Sequence, residues 1–211
     1  MSQISLEAVF MRGGTSKALL FQPQHLPSDP NQRDALFCAA MGTPDPYGRQ
    51  LNGMGGGVSS LSKVCIIGPS SHPEADVDYT FGQVSIKERK VSYQGTCGNM
   101  RAAVGPFAVD QGLVRPQGDH TTVRIYNTNT QKIIHSTFAT PNGQTQYAGD
   151  FAIPGVGGTG SPIKLEFIDP GGATTGQLLP TQQVKQRLFI PELGELEVSM
   201  VDAANAAVFV R

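Results

Sequence analysis

The chain alternates short apolar stretches with turn residues, a pattern that predicts many short strands. Residues 4–11 alternate loosely between apolar and polar side chains, and residues 18–21 form a second apolar run. The segment between them, residues 12–17, contains two glycines and small polar residues, which favour a tight turn. We therefore predict a hairpin whose turn displays an arginine, two hydroxyls and a lysine. Such a turn can hold an anion or simply face solvent.

Two segments have the spacing of helices instead. Residues 31–41 place apolar side chains at helical intervals, and Gly42 after them favours a helix end. Residues 102–109 carry almost no polar side chain, and Gly112 follows as a C-terminal cap. A helix that is apolar on most sides is usually buried, so we predict a sheet wrapped around residues 102–109.

The second half of the chain has the pattern of one strand after another. A polar turn at residues 127–130 joins two of these strands, and its asparagines and threonines suit either turn formation or contact with a ligand. The 25 glycines and 15 prolines also favour a protein rich in turns and short strands. The predicted strands are residues 122–126, 132–138, 163–167, 184–190, 196–201 and 208–210.

Composition narrows the classes of function. The formal net charge of -1 gives no basic surplus for nucleic acid or for an anionic membrane surface, and no apolar run reaches the length of a membrane span. The first residues lack a basic start followed by an apolar core, so no leader is predicted. The three cysteines have no short paired spacing, which favours neither disulfides nor a zinc site. We expect a protein of the reducing cytoplasm.

The candidate for chemistry is a cysteine placed where the buried helix is predicted to begin. Cys97 lies in a turn between Gly95 and Gly98, directly before the alanine-rich segment. The first turn of a helix has unpaired N–H groups and a partial positive charge, which favour a thiolate and bind carboxylates. Gly95 and Gly98 would allow a close backbone approach and unusual dihedral angles. The alternative is a cysteine that only packs in the core, as we expect for Cys38.

Other polar residues give weaker signals. Lys63 joins a glycine- and serine-rich loop to an apolar strand, so its ammonium would be partly desolvated and suited to acid–base chemistry; an ordinary surface lysine is the alternative. That loop lacks the Gly-Lys-Ser/Thr ending of a phosphate loop, which argues against nucleotide binding. Asp76 and Asp78 have no third ligand at metal-binding spacing. His135 lies among apolar strand neighbours, where a structural role is more common than a catalytic one.

Four segments together resemble the PrpF family of isomerases: residues 11–17, 53–64, 76–84 and 97–108. The resemblance covers the whole chain in order. It implies an α+β class and the diaminopimelate epimerase-like fold, in which a mixed, mostly antiparallel sheet curls as a barrel around a central helix. Members of the family isomerise unsaturated di- and tricarboxylates such as aconitate or methylaconitate in a cleft between two domains, with no metal and no organic cofactor.

The resemblance also implies roles for particular residues. Lys63 and Cys97 match the pair proposed as acid and base, with the direction of proton transfer left open. The substrate-binding positions that it implies are Thr15, Ser16, Ser60, Gly98, Asn99 and Met100.

The family members are about twice as long as this chain. We therefore expect residues 1–211 to form a single N-terminal domain that lacks the second domain and needs either that domain or a homodimer partner. Two other functions stay open. One is an amino-acid racemase or epimerase on the same scaffold, which usually needs two facing cysteines, one from each domain. The other is a domain that binds polycarboxylates or dimerises without catalysis.

Overall fold

The computed structural model describes residues 3–211, and its elements follow the predicted order. The α-helices are α1 Pro30–Met41 and α2 Arg101–Asp110. Short 3-10 helices span Pro23–His25, Ser59–Leu61 and Pro141–Gly143. The strands are β1 Val9–Gly13, β2 Ser16–Phe21, β3 Lys63–Pro69, β4 Val77–Val84, β5 Val91–Ser92, β6 His120–Asn127, β7 Lys132–Ala139, β8 Ile163–Phe167, β9 Gln186–Ile190, β10 Gly194–Ala203 and β11 Asn205–Val210.

The predicted N-terminal hairpin is confirmed. Strands β1 and β2 pair antiparallel with Gly13 opposite Ser16, which leaves only Gly14 and Thr15 for the turn. Gly14 has a φ of 53°, a left-handed value that glycine adopts without strain. The tight turn therefore places polar side chains at the end of two strands, of which β2 is mostly buried and β1 alternates half-buried and exposed residues up to Gly13.

Strands β1 to β8 form one sheet that curves around α2. Their order is β1-β2-β3-β4-β6-β7-β8, and the short β5 pairs with the end of β4. The β2–β3 and β4–β6 pairs are parallel, and the other neighbouring strands are antiparallel. Since β1 and β8 remain as edges, the sheet is a half-barrel. The predicted α+β class and the mixed, mostly antiparallel sheet around a central helix are confirmed.

Helix α2 is buried because it is apolar on nearly every side. Val104 and Phe107 are enclosed, and they belong to one core cluster with the inward side chains Leu20, Tyr79 and Ile125 from three strands. Burying a side chain of this size contributes roughly 1.5–3 kcal/mol. The sheet curves around α2 because only a surrounding sheet covers all faces of such a helix.

Helix α1 lies on the other face of the sheet. Phe37 and Met41 pack against Leu19 and Val64, which alternate with the inward residues of β2 and β3. Cys38 is buried in the same cluster, which confirms its predicted packing role. The apolar alternation of β2 thus serves two cores, one on each face.

Strands β9, β10 and β11 form a second, smaller sheet in the order β11-β10-β9. It confirms the predicted C-terminal hairpin and adds β11 to it. Every residue of β11 is exposed, and Phe189, Val208 and Phe209 are among the large apolar side chains that this sheet leaves open to solvent. Exposed apolar side chains gathered on one small sheet are typical of a surface that a partner covers.

The paired aspartates serve local structure. Asp76 forms an ion pair of 2.6 Å with Arg124; burial alone would raise the pKa of Asp76, but hydrogen bonds from Arg124 lower it below its usual value. Asp78 accepts a hydrogen bond of 2.9 Å from the Ser70 hydroxyl.

In residues 3–211, no three His, Cys, Asp or Glu side chains form a group able to hold a metal ion. Among the helices of those residues, none has the length and apolar character of a membrane span.

Candidate active site at the start of helix α2

Cys97 lies in the turn that leads into α2. Its side chain belongs to the core cluster around that helix, yet the residue keeps 8% of its surface exposed. The Sγ atom of Cys97 lies 4.0 Å from the Oγ of Ser16, a distance at the outer limit of a hydrogen bond to sulfur. The structure therefore places Cys97 beside the β1–β2 hairpin.

The backbone after Cys97 is open to an anion. Gly98 and Asn99 are exposed, and within residues 3–211 the N–H groups of Gly98, Asn99 and Met100 have no hydrogen-bond acceptor. Met100 is the N-cap residue of α2 and provides no side-chain cap. Unpaired N–H groups at a helix N-terminus attract carboxylates. Met100 is buried as a whole residue, with none of its surface exposed, so the accessible N–H groups of this turn are those of Gly98 and Asn99.

The glycine positions at which a side chain would clash lie in the hairpin, not beside Cys97. A Cβ atom on Gly13 would lie 2.5 Å from the carbonyl oxygen of Asn99, and one on Gly14 would collide with the Asn99 side chain. By contrast, Gly95 and Gly98 have ordinary φ values, and a Cβ on either would meet no atom within 4 Å. The expected unusual dihedral angles at Gly95 and Gly98 are therefore wrong, and the close protein contact in this region is between the hairpin and the turn after Cys97.

Replacing Gly13 with alanine is expected to separate the hairpin from this turn. The added methyl group must displace the Asn99 backbone, and it would disturb the 3.0 Å hydrogen bond from Asn99 Nδ2 to the Thr15 hydroxyl. Overpacking of this kind costs about 1–3 kcal/mol of the free energy of unfolding, measurable by urea denaturation. Gly95→Ala is the matched control and should stay within about 0.5 kcal/mol of the wild type. Equal denaturation midpoints for the two variants would contradict this account of the contact.

Lys63 is held by a glutamine on the neighbouring strand. Its Nζ donates a 2.6 Å hydrogen bond to Oε1 of Gln83 and lies 5.0 Å from the centre of the Phe81 ring, and the residue is only 7% exposed. The Gln83 amide nitrogen donates to the carbonyl oxygens of Ser62 at 2.8 Å and Ser59 at 3.1 Å. Because both of those partners are acceptors, the amide oxygen must face Lys63. Lys63 is therefore a fixed, largely desolvated cation, not an ordinary surface lysine.

Lys63 and Cys97 both lie near the buried thiol of Cys65. Lys63 and Cys65 are two residues apart in β3, so their side chains extend from the same face of the strand. Burial raises the pKa of the Cys65 thiol; the Tyr79 hydroxyl opposes this, Cys97 raises the pKa further, and Lys63 lowers it. The predicted acid–base pair thus lies on one side of the sheet with a protonated thiol nearby. Ser60 is half-buried in the short 3-10 helix just before β3.

The polar turn at residues 127–130 forms hydrogen bonds to β4 and to the segment before Cys97. Asn129 accepts a hydrogen bond from the Phe81 N–H at 2.8 Å and donates one to the Phe81 carbonyl at 3.0 Å. The Asn127 amide donates to the Thr96 hydroxyl at 3.3 Å. These amides are occupied by protein groups, so they hold β4 and the segment before Cys97 in place.

Two residues of this site were missed from the sequence. Gln83 follows Val77, Tyr79 and Phe81 at every second position of β4, so its side chain lies on the inward face. A polar residue at an inward strand position could have indicated a role in the site. Arg101 opens helix α2 and is buried, although arginine is mostly an exposed residue type. Nothing in its local sequence distinguishes it from a solvated arginine, and only the packing of the sheet shows its burial.

An α+β half-barrel around a buried helix, with a cysteine at the start of that helix, defines a domain of the diaminopimelate epimerase-like fold. The chain belongs to the PrpF family: the family model described as PrpF protein matches residues 3–211. The structure of a probable proline racemase from Agrobacterium radiobacter K84 shares this fold at 11% identity, with a TM-score of 0.52 over 93% of this chain and 48% of that one.

The more similar relatives are named isomerases. The 3-methylitaconate isomerase of Eubacterium barkeri is 44% identical over 99% of this chain and 54% of its own length. The 2-methyl-aconitate isomerase of Cupriavidus necator is 42% identical over 99% of this chain and 55% of its length. The crystal structure of methylitaconate-delta-isomerase aligns with a TM-score of 0.85 and 44% identity, covering 98% of this chain and 52% of that one. The chain thus spans about half the length of the curated relatives that it matches.

Proposed function

We propose that this chain forms one half of the active site of an isomerase that moves a proton, and with it a double bond, in unsaturated di- or tricarboxylates such as methylitaconate or methylaconitate. The observation that carries this proposal is the pairing of Cys97 with the exposed, unpaired N–H groups of Gly98 and Asn99 at the start of α2, with Cys97 and Lys63 both close to the buried Cys65. The names of the relatives above support the substrate class. The proposed reaction needs no metal and no organic cofactor, and the free cysteines suit a cytoplasmic location.

The proposed chemistry is a proton transfer beside a carboxylate. One of Cys97 and Lys63 removes a proton from carbon, and the electron pair delocalises through the double bond into the carboxylate. The other group returns a proton at the far end of the allyl system, or at a changed geometry in a cis–trans isomerisation. The N–H groups of Gly98 and Asn99 would bind the substrate carboxylate and stabilise its growing negative charge, while Thr15, Ser16 and Ser60 would contact its other polar groups.

The second half of the cleft must come from elsewhere. We propose that the exposed apolar surface of β9–β11 contacts either a second domain or a second copy of this chain, since Phe189 and Phe209 lie open on the same face of this sheet. If the chain has no catalytic partner, the same observation favours a second candidate function, a polycarboxylate-binding domain that dimerises. A racemase or epimerase would in addition need a facing cysteine from that second half.

The test is proton NMR in deuterated buffer with trans-aconitate, methylaconitate and methylitaconate. The chain is assayed alone and together with the remainder of its coding sequence, where its gene encodes one. We expect deuterium uptake at the allylic carbons and formation of an isomer, and both should depend on Cys97. Uptake at Cα of amino acids instead would support a racemase. No exchange in either preparation, with a mass that rises with concentration, would overturn the isomerase in favour of the dimerising domain.

A further inference from the structure

The partner that holds Lys63 is a neutral amide and not a carboxylate. Lys63 Nζ donates to the Gln83 amide oxygen at 2.6 Å, and Gln83 is the residue directly opposite it in the antiparallel β3–β4 pair. Among residues 3–211, no ion pair includes Lys63, and Gln83 alone accepts a hydrogen bond from its Nζ. Lys63 is therefore fixed in direction while its charge has no opposite charge beside it.

Gln83 is itself fixed on its far side. Its amide nitrogen donates to the carbonyl oxygens of Ser59 and Ser62, so its amide oxygen faces Lys63. The Ser62 hydroxyl in turn accepts a 2.8 Å hydrogen bond from Gln50, a side chain with none of its surface exposed. Connected buried hydrogen bonds of this kind make the local geometry rigid. The position of the Gln83 oxygen is therefore determined by the fold and not by solvent.

The neutrality of this acceptor matters because Lys63 is largely buried. A carboxylate at the same distance would stabilise the ammonium form, and the nitrogen would then give up its proton less easily. An amide oxygen holds the nitrogen in place with much less preference for that form. The other neighbours add no opposite charge: Ala18 lies opposite Lys63 on β2, the Phe81 ring lies on β4, and burial raises the pKa of the Cys65 thiol on β3.

We propose that Gln83 is a positioning residue for proton transfer: its amide oxygen fixes the direction of Lys63 Nζ and, being neutral, leaves that nitrogen able to give up and take back a proton. This inference rests on the proposed function for the use of Lys63. It applies whichever of Lys63 and Cys97 removes the proton from carbon, because Lys63 changes its protonation state in both cases. Gln83 acts through Lys63 and need not contact the substrate.

The first test follows Lys63 by NMR in the 211-residue chain labelled with carbon-13 lysine, and it requires no turnover. The Lys63→Met variant assigns the signal. In the wild type, the two ε protons should have different chemical shifts, because a held side chain places them in different surroundings. In Gln83→Leu, the two shifts should merge as the nitrogen becomes free to move. Merged shifts in the wild type, or separate shifts in a Gln83→Leu protein that is folded by circular dichroism, would overturn the proposal.

Gln83→Glu keeps the shape of the acceptor and adds the opposite charge. The midpoint of the Lys63 titration, read from its carbon-13 shifts, should then lie about one pH unit or more above that of the wild type. Gln24→Glu is the matched control, since Gln24 is exposed and its neighbour Pro23 lies beside Gly68 at the other end of β3. Gln24→Glu should leave the midpoint unchanged. Equal midpoints in folded Gln83→Glu and Gln24→Glu would overturn the neutral-acceptor role.

In the preparation that shows deuterium exchange, the two Gln83 variants should fail in different ways. Gln83→Leu should lower turnover by about 10²-fold, because the nitrogen is no longer held in place. Gln83→Glu should move the limb of the pH profile that depends on Lys63 to higher pH. Lost turnover in Gln83→Glu with an unmoved limb would indicate a merely structural role and overturn the proposal. If no preparation shows exchange, the proposed function fails, and the NMR measurements still decide the role of Gln83.

Discussion

Replacing Cys97 with alanine is expected to lower proton exchange at the allylic carbon by roughly 10²–10⁴-fold, the contribution of one positioned acid or base. The physical reason is that Cys97 is the one thiol at the helix N-terminus, next to the unpaired N–H groups that would hold the substrate carboxylate. The assay is deuterium uptake followed by proton NMR, in the preparation that shows activity. Substrate affinity should change far less than turnover, since the anion site is backbone.

Cys38→Ala is the matched control for this experiment. Cys38 is also buried, but it belongs to α1 and packs against the opposite face of the sheet. Its loss should leave exchange close to the wild-type rate, apart from a modest loss of stability caused by the small cavity. If Cys97→Ala and Cys38→Ala both retained near wild-type exchange, Cys97 would be a core residue and the proposed mechanism would fail.

Replacing Lys63 with methionine is expected to reduce exchange by a similar factor, roughly 10²–10⁴-fold. Methionine keeps most of the apolar side-chain volume over the Phe81 ring, so the chemical group is removed with little change of shape. The Gln83 amide oxygen loses its 2.6 Å donor, which costs about 1–3 kcal/mol of stability if water does not replace it. Thermal unfolding measured beside the exchange assay therefore separates lost chemistry from lost structure.

Lys164→Met provides the comparison. Lys164 is also a strand lysine, but it is exposed and paired with Glu166 at 2.9 Å on β8. Exposed pairs contribute little, about 0–1 kcal/mol, so this variant should match the wild type in both stability and exchange. A folded Lys63→Met protein that exchanged as fast as Lys164→Met would remove Lys63 from the mechanism.

If the Cys97→Ala and Lys63→Met variants both lose exchange, comparing the chain alone with the combined preparation tests whether one half of the cleft is enough for proton transfer. Lys63 and Cys97 are both contributed by residues 3–211, so deuterium uptake by this chain alone would show that the transfer needs no group from a second half. Uptake only in the combined preparation would assign a necessary group to that second half. Either result keeps Cys97 and Lys63 in the mechanism, provided that both variants lose exchange.

The sequence by itself determined most of the elements, and it pointed to Cys97 and Lys63 as candidate site residues. The hairpin, both helices and the strand-rich second half follow from glycine placement, apolar spacing and alternation, which act over a few neighbouring residues. The wholly apolar segment at residues 102–109 predicted a buried helix, and the position of Cys97 before it predicted a thiol among unpaired N–H groups. These features depend on local backbone geometry and on burial, and both are encoded in short stretches of chain.

Only the tertiary structure decided which polar groups meet. Lys63 faces Gln83 because β3 and β4 pair antiparallel with these residues opposite each other, a register that depends on contacts twenty residues apart in the chain. The close glycine contact is at Gly13 rather than Gly95 because the hairpin folds back onto the cysteine turn. Arg101 is buried without a carboxylate because α2 is enclosed by strands from both halves of the chain. Electrostatic environment depends on distance in space, and that distance is set by the sheet as a whole.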